Sequence, residues 1–218
     1  MLDAKRALLL GISHELRTPL SRMRLELEFL DDAENAESLK SEIAEMEKIV
    51  VTLLEAERLN SRHAQLSRSQ VEIGDLIDDL LNDFFSRDLD RIRVENPPSP
   101  VTASVDEARI TLLLKNLLAN ALRYSKTEDG PITLRFVSTG SELVMNVADN
   151  GPGLSKDQAE HIGEPFYRSD PSRARESGGT GLGLYLATLI ARAHGGTLKL
   201  CNSGGQGACF EIRIPLID

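Results

Sequence analysis

The amino-acid sequence predicts an all-α helical hairpin, paired with a second copy in a four-helix bundle, followed by an α+β sandwich whose mixed sheet is covered by helices on one face. Residues 1–66 contain only Gly11 and Pro19, whereas the rest of the chain holds the other 15 glycines and 8 prolines. Turn residues are rare in long helices and frequent in mixed structure. We therefore divide the chain into units 1–66 and 67–218, joined by the polar stretch 62–70.

Two narrow apolar stripes describe the hairpin. In each stripe, apolar residues recur at alternating steps of four and three, which places them on one helix face. A polar loop, residues 31–36, separates the stripes. A single hairpin buries such stripes poorly, so two hairpins around a twofold axis predict a homodimer. The stripes are Leu16, Leu20, Met23, Leu27 and Leu30, and Leu39, Ile43, Met46, Val50 and Leu53.

Predicted strands and helices are interleaved in the second unit, which is typical of an α+β sheet. Apolar alternation marks the strands, and apolar residues at helical spacing mark the helices. The predicted strands are 71–73, 92–95, 101–105, 132–137, 143–148, 197–201 and 209–214, and the predicted helices are 75–86, 106–124 and 182–193.

Composition excludes several classes of function. The 218 residues include 25 Lys plus Arg and 34 Asp plus Glu, a net charge of -9, with no basic cluster of the kind that binds nucleic acid. Apolar runs fall far short of the about 18–20 residues that span a bilayer, and the first residues lack a secretory signal. Cys201 and Cys209 are too few for a disulfide framework, so we expect buried strand residues in a reducing cytoplasm.

His14 lies beside the first apolar stripe, where solvent can reach it. Thr18 follows one helical turn later on the same face, and Glu15 is the immediate neighbour. Pro19 lacks the N–H that would bond to the Glu15 carbonyl, so the helix should bend or loosen next to His14. An ordinary surface histidine is the alternative interpretation, but a proline inside an otherwise proline-free helix favours a special site.

Two asparagines share one face of the predicted helix 106–124. Asn116 and Asn120 are four residues apart, and Arg123 and Tyr124 follow them. Asparagine is a poor helix former, so a pair on one face suggests ligands. Amide oxygens suit Mg²⁺, which binds a few protein oxygens together with phosphates and water. The pair alone is weak evidence for a site.

Two glycine-rich segments follow. Asp149 ends a strand and precedes Gly151 and Gly153, so its carboxylate can accept from an amino group while bare backbone approaches a flat ring; a plain turn is the alternative. Residues 178–184 open a helix, where free N–H groups favour phosphate, but they form neither a Walker A nor a Rossmann motif. The polar segment 155–177 between them has the composition of a mobile lid.

These segments together resemble the boxes of bacterial sensor histidine kinases. Residues 14–20 resemble the H-box, 116–125 the N-box, 149–153 the G1-box, 164–168 the F-box and 179–183 the G2-box. The resemblance covers essentially the whole chain in the family's order. It implies a dimerisation and phosphotransfer hairpin followed by an ATP-binding domain of the kind shared with gyrase, heat-shock 90 and mismatch-repair ATPases.

The resemblance also implies a role for each matching residue of the hairpin. His14 would accept the γ-phosphoryl group of ATP, with Glu15 as the base, and the partner would be the receiver domain of a response regulator. Thr18 would orient water when the kinase dephosphorylates its regulator. The family usually carries a membrane sensor, so we expect this chain to be the cytoplasmic part of a longer protein anchored in the inner membrane.

For the second unit, the resemblance implies an ATP and Mg²⁺ site. The implied ligands are Asn120 for Mg²⁺; Asn116 and Arg123 for the phosphates; Tyr124 stacking near the nucleotide; Asp149 for the adenine amino group; Gly151 and Gly153 for access; Phe166 as lid anchor; and Gly179, Thr180, Gly181, Leu182 and Gly183 holding the lid end. The roles of Arg173 and Arg175 stay open between the γ-phosphate and solvent.

Two other classes of function compete with the kinase. One is a dimeric scaffold that binds nucleotide without transferring phosphate, but it requires a degraded box, and none is visible. The other is an ATP-hydrolysing clamp, which leaves His14 and Pro19 on the hairpin unexplained. The sequence does not indicate the signal, the cognate regulator, or whether ATP serves the histidine of its own protomer or that of the partner.

Overall fold

A long helix leads into a two-stranded sheet and then a five-stranded sheet with helices. The computed structural model describes residues 18–19, 22–23, 25, 33–60, 65–96, 101–168, 180–202 and 205–216. The helices are α1 (Ala33–Asn60), α2 (Ile73–Phe85), α3 (Glu107–Tyr124), α4 (Lys156–His161) and α5 (Gly183–Ala193), with 3₁₀ turns at Leu89–Arg91 and Thr127–Asp129; the strands are β1 (Ser69–Glu72), β2 (Ile92–Glu95), β3 (Thr102–Val105), β4 (Ile132–Thr139), β5 (Glu142–Ala148), β6 (Thr197–Leu200) and β7 (Cys209–Pro215).

Both sides of the predicted hairpin contain helical residues. Residues 18, 19, 22, 23 and 25 are helical, and Arg22 Nη1 lies 2.6 Å from Glu42 Oε1 of α1. Within the predicted stripe of α1, Leu53 is buried, whereas Ile43 and Val50 are 41% and 44% exposed in the single chain. Ile43 and Val50 therefore belong to an apolar face of α1 that stays exposed in the single chain.

The five-stranded sheet has the order β2-β4-β5-β7-β6. Among the strands that the structure describes, only β2 and β4 pair in parallel; β4 with β5, β5 with β7, and β6 with β7 are antiparallel. Strands β1 and β3 form a separate antiparallel pair. The sheet is therefore mixed, as the sequence predicted. The segment that carries α4 and α5 connects β5 to β6 and so crosses past β7, which lies between them in the sheet.

Helices cover one face of the five-stranded sheet. Inward-facing residues of the strands, such as Leu134, Met145 and Ile212, are fully buried against α3 and α5. In α3, Leu113 and Leu117 recur at helical spacing with exposures of 0% and 1%. Each such side chain contributes about 1.5–3 kcal/mol by leaving water. The apolar face of α3 is thus fixed on the sheet, which determines where its polar face points.

The last turns of α1 pack on the α+β unit. Ala56 and Leu59 belong to the main core, with exposures of 0% and 8%. Glu55 accepts from Arg109 Nε of α3 at 2.9 Å, and Asn60 Nδ2 donates to the Tyr185 hydroxyl of α5 at 2.8 Å. The end of the long helix is therefore held against α3 and α5 by apolar and polar contacts. No helix among the described residues is both long and apolar enough to cross a membrane.

Three details differ from the sequence predictions. Ile73 starts α2 rather than ending a strand, because Glu72 caps the helix by accepting from the Asp75 N–H at 2.8 Å. Helix α4 lies inside the predicted lid. Cys201, predicted as a buried strand residue, is exposed and lies beyond the end of β6, while Cys209 is half-buried on β7, because both cysteines face the side of the sheet without helices.

Candidate nucleotide site

One pocket brings most of the predicted ligand residues together. It lies between the polar face of α3, the turn after β5, the start of α5 and one side of α1. The predicted residues that line it are Asn116, Asn120, Arg123, Tyr124, Asp149, Gly153, Thr180, Gly181 and Gly183.

The two asparagines of α3 are turned to the pocket because the opposite face of the helix is buried on the sheet. Asn116 Nδ2 donates to the Leu112 carbonyl at 2.9 Å, which orients the amide and leaves its oxygen for other partners. That oxygen lies 2.8 Å from the position that a Cβ on Gly183 would occupy. Asn120, one turn later, is half-buried in the same wall. The Asn116 oxygen thus faces the start of α5 and Asn120 lines the same pocket, an arrangement that fits Mg²⁺ bound with phosphates.

Asp149 is a half-buried carboxylate at the end of β5. Its Oδ1 accepts from the Gly151 N–H at 2.9 Å and from the Ala208 N–H at 3.1 Å. Burial raises the pKa of this carboxyl above its ordinary value, and the two backbone hydrogen bonds oppose that rise. Because both bonds go to Oδ1, the other oxygen is left for a donor in the pocket. A purine amino group is such a donor.

The glycines after Asp149 are required by the chain's own backbone. A Cβ on Gly151 would lie 2.5 Å from the Tyr124 carbonyl oxygen, and a Cβ on Gly153 would lie 2.0 Å from that of Gly205. Gly153 also has φ +73°, a conformation that side chains disfavour. Gly153 lines the pocket but Gly151, which is buried, does not. The sequence argument assigned both glycines to ligand access, whereas the close contacts here are with protein.

A second glycine turn fixes the opposite end of the pocket. Gly181, with φ +71°, accepts through its carbonyl from the Phe166 N–H at 3.1 Å. Phe166 itself has φ 64°, which is unusual for an aromatic residue and is held by this contact. Leu182 is fully buried and packs with Ile49 and Leu53 of α1, and Phe166 packs on the same cluster. Phe166 and Leu182 therefore support the turn from behind rather than lining the pocket.

The glycine turn at Gly181 places the N-terminus of α5 beside the pocket. Gly181 and Gly183 line it, and α5 runs for 11 residues from Gly183. The unpaired N–H groups and the dipole of a helix N-terminus favour negative charge. The arrangement can therefore hold an adenine-like ring near Asp149 and phosphates near α5, with a cation between phosphates and amide oxygens.

Of the remaining predicted site residues, five lie outside the described part of the chain, and Thr18 does not line the pocket. His14, Glu15, Gly179, Arg173 and Arg175 lie outside the described residues. Thr18 is exposed on its helix, next to buried Pro19.

Sequence reasoning missed the contribution of α1. Glu45, Lys48 and Thr52 line the same pocket. No local motif marks them, because only the packing of α1 on the second unit brings them there.

A mixed sheet with one helical face, bearing a half-buried carboxylate acceptor at one end of a pocket and a helix N-terminus at the other, defines a purine-nucleotide-binding α+β domain. The model for the Histidine kinase-, DNA gyrase B-, and HSP90-like ATPase family matches residues 105–218, and that for the His Kinase A (phospho-acceptor) domain matches residues 4–62. The chain belongs to this ATPase family and, by both matches, to its sensor histidine kinases.

Individual proteins agree with this assignment. The chain is 34% identical over 218 residues to sensor histidine kinase MtrB of Mycobacterium leprae (strain TN), covering 94% of this chain and 38% of MtrB. It is 36% identical over 219 residues to sensor protein RstB of Escherichia coli (strain K12), covering 99% and 50%. The fold is similar to that of Acinetobacter baumannii histidine kinase AdeS, with a TM-score of 0.77, 23% identity, and coverage of 94% and 98%. The chain spans half or less of the length of MtrB and RstB.

Proposed function

We propose that this chain is the core of an ATP-dependent protein-histidine kinase that phosphorylates His14 and passes the phosphoryl group to an aspartate of a response regulator. The observation that carries the proposal is the pocket itself. It joins a carboxylate acceptor, two amide oxygens and a helix N-terminus in a chain whose first unit matches a phosphoacceptor domain.

In this proposal ATP lies along the pocket. Asp149 accepts from the adenine amino group, while Gly181, Gly183, Asn116 and Arg123 face the phosphates. Asn120 presents an oxygen suited to Mg²⁺, and the ion would neutralise charge on the β- and γ-phosphates when bound. Tyr124 is 45% exposed at the mouth of the pocket, where its ring can cover the nucleotide.

The phosphoryl group is transferred in two displacement reactions, first from ATP to His14 and then from His14 to the regulator. A ring nitrogen of His14 attacks the γ-phosphorus, the bond to the β,γ-bridging oxygen breaks, and ADP leaves. Glu15 takes or orients the proton on the other ring nitrogen. The regulator's aspartate carboxylate then attacks the phosphorus, the N–P bond breaks, and His14 regains a proton.

The packing of the hairpin supports this assignment. In an antiparallel hairpin that pairs Arg22 with Glu42, Thr18 is expected about level with Met46. The pocket is lined by Glu45 and Lys48, which lie on either side of that level. His14 precedes Thr18 by four residues, about one helical turn, so we expect the proposed acceptor in the stretch of hairpin beside the nucleotide pocket.

His14→Gln tests the proposal with ATP labelled at the γ-phosphate. We expect acid-labile, base-stable labelling of the parent, none of the variant, and unchanged ADP binding by both. Labelling of the variant would move the acceptor to another histidine. The other three histidines, His63, His161 and His194, would then need testing. His161 bonds to Glu164 at 3.1 Å on the surface, whereas His194 is fully buried with both ring nitrogens bonded.

The proposed kinase is a homodimer through the hairpin. Ile43, Val50, Val51 and Leu54 expose 41–65% of their surface on α1, more than scattered apolar residues require. A second hairpin covering this face would complete the bundle. Light scattering should give the mass of two chains, and Val51→Glu should give that of one, while the exposed control Glu57→Lys should stay dimeric. Membrane anchoring through segments beyond this chain belongs to the same proposal.

We also propose that the kinase dephosphorylates its regulator, because Thr18 is exposed one turn after His14 in sequence. Its hydroxyl could orient water for in-line attack on the aspartyl phosphate of a docked receiver. Bonding of the hydroxyl back to its own helix is the alternative. Thr18→Ala should preserve labelling of His14 but slow dephosphorylation of purified phospho-regulator several-fold with ADP present. Equal rates for variant and parent would rule this role out.

A further inference from the structure

Helix α1 forms one wall of the nucleotide pocket. Ile49 and Leu53 pack on Leu182, the residue between the two pocket-lining glycines at the start of α5. Lys48 and Thr52 precede these two residues in sequence and face the pocket. The helix of the phosphoacceptor hairpin is therefore seated against the glycine turn.

This packing places Lys48 near the end of the pocket formed by the N-terminus of α5, which we call the phosphate end. Its neighbour Ile49 contacts Leu182, and Gly183 after Leu182 lies against the side-chain oxygen of Asn116. The N-terminus of α5 and the side-chain oxygen of Asn116 meet at that end. The side chain of Lys48 is exposed, long and flexible, so its ammonium can follow a ligand there.

The charges around Lys48 favour an anion. Among the described residues, no carboxylate forms an ion pair with it. Its ammonium is close enough to that of Lys115 on α3 to help burial lower the pKa of Lys115. Lys115 lies 3.6 Å above the Phe84 ring, which stabilises its charge only in part. The two cations repel each other, and an anion bound in the pocket beside Lys48 would relieve the repulsion.

The other pocket-facing residues of α1 are less suited to phosphate. Glu45, one turn before Lys48, carries a charge that repels it. The Thr52 hydroxyl donates to the Lys48 carbonyl at 2.7 Å, so its proton is already used within the helix.

We propose that Lys48 is a ligand of the nucleotide's phosphates, supplied by the hairpin to the ATP site of the same chain. This inference rests on the proposed function and deepens it, because it makes the site a product of both units. Phosphate bound between Lys48 and the start of α5 would hold α1 on the ATP-binding unit. The bound nucleotide would then favour the arrangement in which the two units are packed together.

The test compares ligands with different numbers of phosphates. Calorimetric titrations of the full chain with adenosine, ADP and ATP, in Mg²⁺, would be run on the parent, Lys48→Ala and Lys48→Arg. Lys199→Ala is the matched control, because Lys199 is exposed on β6 and does not line the pocket. Loss of one charge-assisted contact should weaken ATP binding by Lys48→Ala about tenfold. Adenosine should bind unchanged, and Lys48→Arg should retain most of the affinity.

Two results would overturn the inference. Equal ATP affinities for the parent and Lys48→Ala would remove Lys48 from the site. Equal weakening of adenosine and ATP would show that Lys48 acts on the fold of the pocket rather than on phosphate. Failure of the proposed function gives a different pattern: the parent would then bind ATP without labelling of His14, or would bind neither ADP nor ATP.

Discussion

Replacing Asp149 by Asn tests the adenine end of the pocket, and the structure determines how the variant must behave. Oδ1 of Asp149 accepts from the N–H groups of Gly151 and Ala208 at 2.9 and 3.1 Å. In the variant the amide oxygen keeps both bonds only if the NH₂ group takes the place of Oδ2. The NH₂ then faces the adenine amino group, donor against donor. Turning the amide over would instead set the NH₂ against two backbone donors.

The expected loss follows from either choice. A hydrogen bond to a charged acceptor contributes about 1.5–3 kcal/mol, and a buried donor left unsatisfied costs about 1–3 kcal/mol. The variant loses either the hydrogen bond to the adenine amino group or its bonds to the backbone N–H groups, so ADP and ATP should bind about 10- to 100-fold more weakly. A 6-oxopurine such as ITP presents an acceptor where adenine presents a donor. Its affinity should fall less than that of ATP, or rise.

Calorimetry with ADP and with ITP measures both effects. Asp78→Asn is the control, since Asp78 is exposed on α2 and does not line the pocket. In the parent, burial raises the pKa of Asp149, so ADP affinity should fall with decreasing pH before an ordinary carboxyl would protonate. The variant should lack that pH dependence. Unchanged ADP affinity in a folded variant would refute the assignment, and an equal loss for ADP and ITP would indicate general damage.

Three further changes test other parts of the structure. Asn120→Asp adds a stronger magnesium ligand, so the Mg²⁺ concentration at half-maximal ADP binding should fall several-fold; an unchanged value counts against the ligand assignment. His194→Ala leaves the Asp106 N–H without its acceptor and should cost about 1–3 kcal/mol in urea unfolding at pH 7.5. Burial lowers the pKa of His194, so the stability that neutral His194 contributes to the fold is complete above its unfolded-state pKa of 6.5 and declines below that pH. The loss of unfolding free energy in His194→Ala should therefore be smaller at pH 5.5 than at pH 7.5. An equal loss at both pH values would contradict this assignment. Cys201 is exposed as a residue, but partial burial of its sulfur and a hydrogen bond with Cys209 raise the pKa of its thiol to about 12. Iodoacetamide should therefore modify Cys201 slowly at pH 8 and rapidly in urea; rapid reaction of the folded protein would contradict the shift.

Features that depend on local sequence were predictable. The stripe of α3 and the alternation of β4, β5 and β7 predicted elements whose ends differ from the structure by one or two residues. The polar face of α3 followed from its apolar face. Helix α4 could also have been predicted, since Ser155 and Gln158 form a capping box that was read as part of a polar lid.

Features that depend on packing between units were not predictable. The apolar spacing of α1 assigned Val50, and not Ile49, to the predicted apolar stripe. Ile49 is nevertheless 2% exposed, because it packs on Leu182 of the second unit. Periodicity cannot tell which of two faces packs on a domain far along the chain. The exposure of Cys201 has a similar cause, because it depends on which face of the sheet lacks helices.

The glycine turn shows why motif and packing have to be read together. Gly181 and Gly183 reach the pocket because neither has a side chain: a Cβ on Gly181 would lie 2.8 Å from the Phe166 backbone, and one on Gly183 would lie 2.8 Å from the Asn116 oxygen. Leu182 between them points away, into the cluster with Ile49 of α1. Alternate residues of one turn thus face the nucleotide pocket and the phosphoacceptor hairpin. A change in how α1 packs on Leu182 must move the backbone that lines the phosphate end, and a ligand that fixes that backbone must in turn favour one packing of α1.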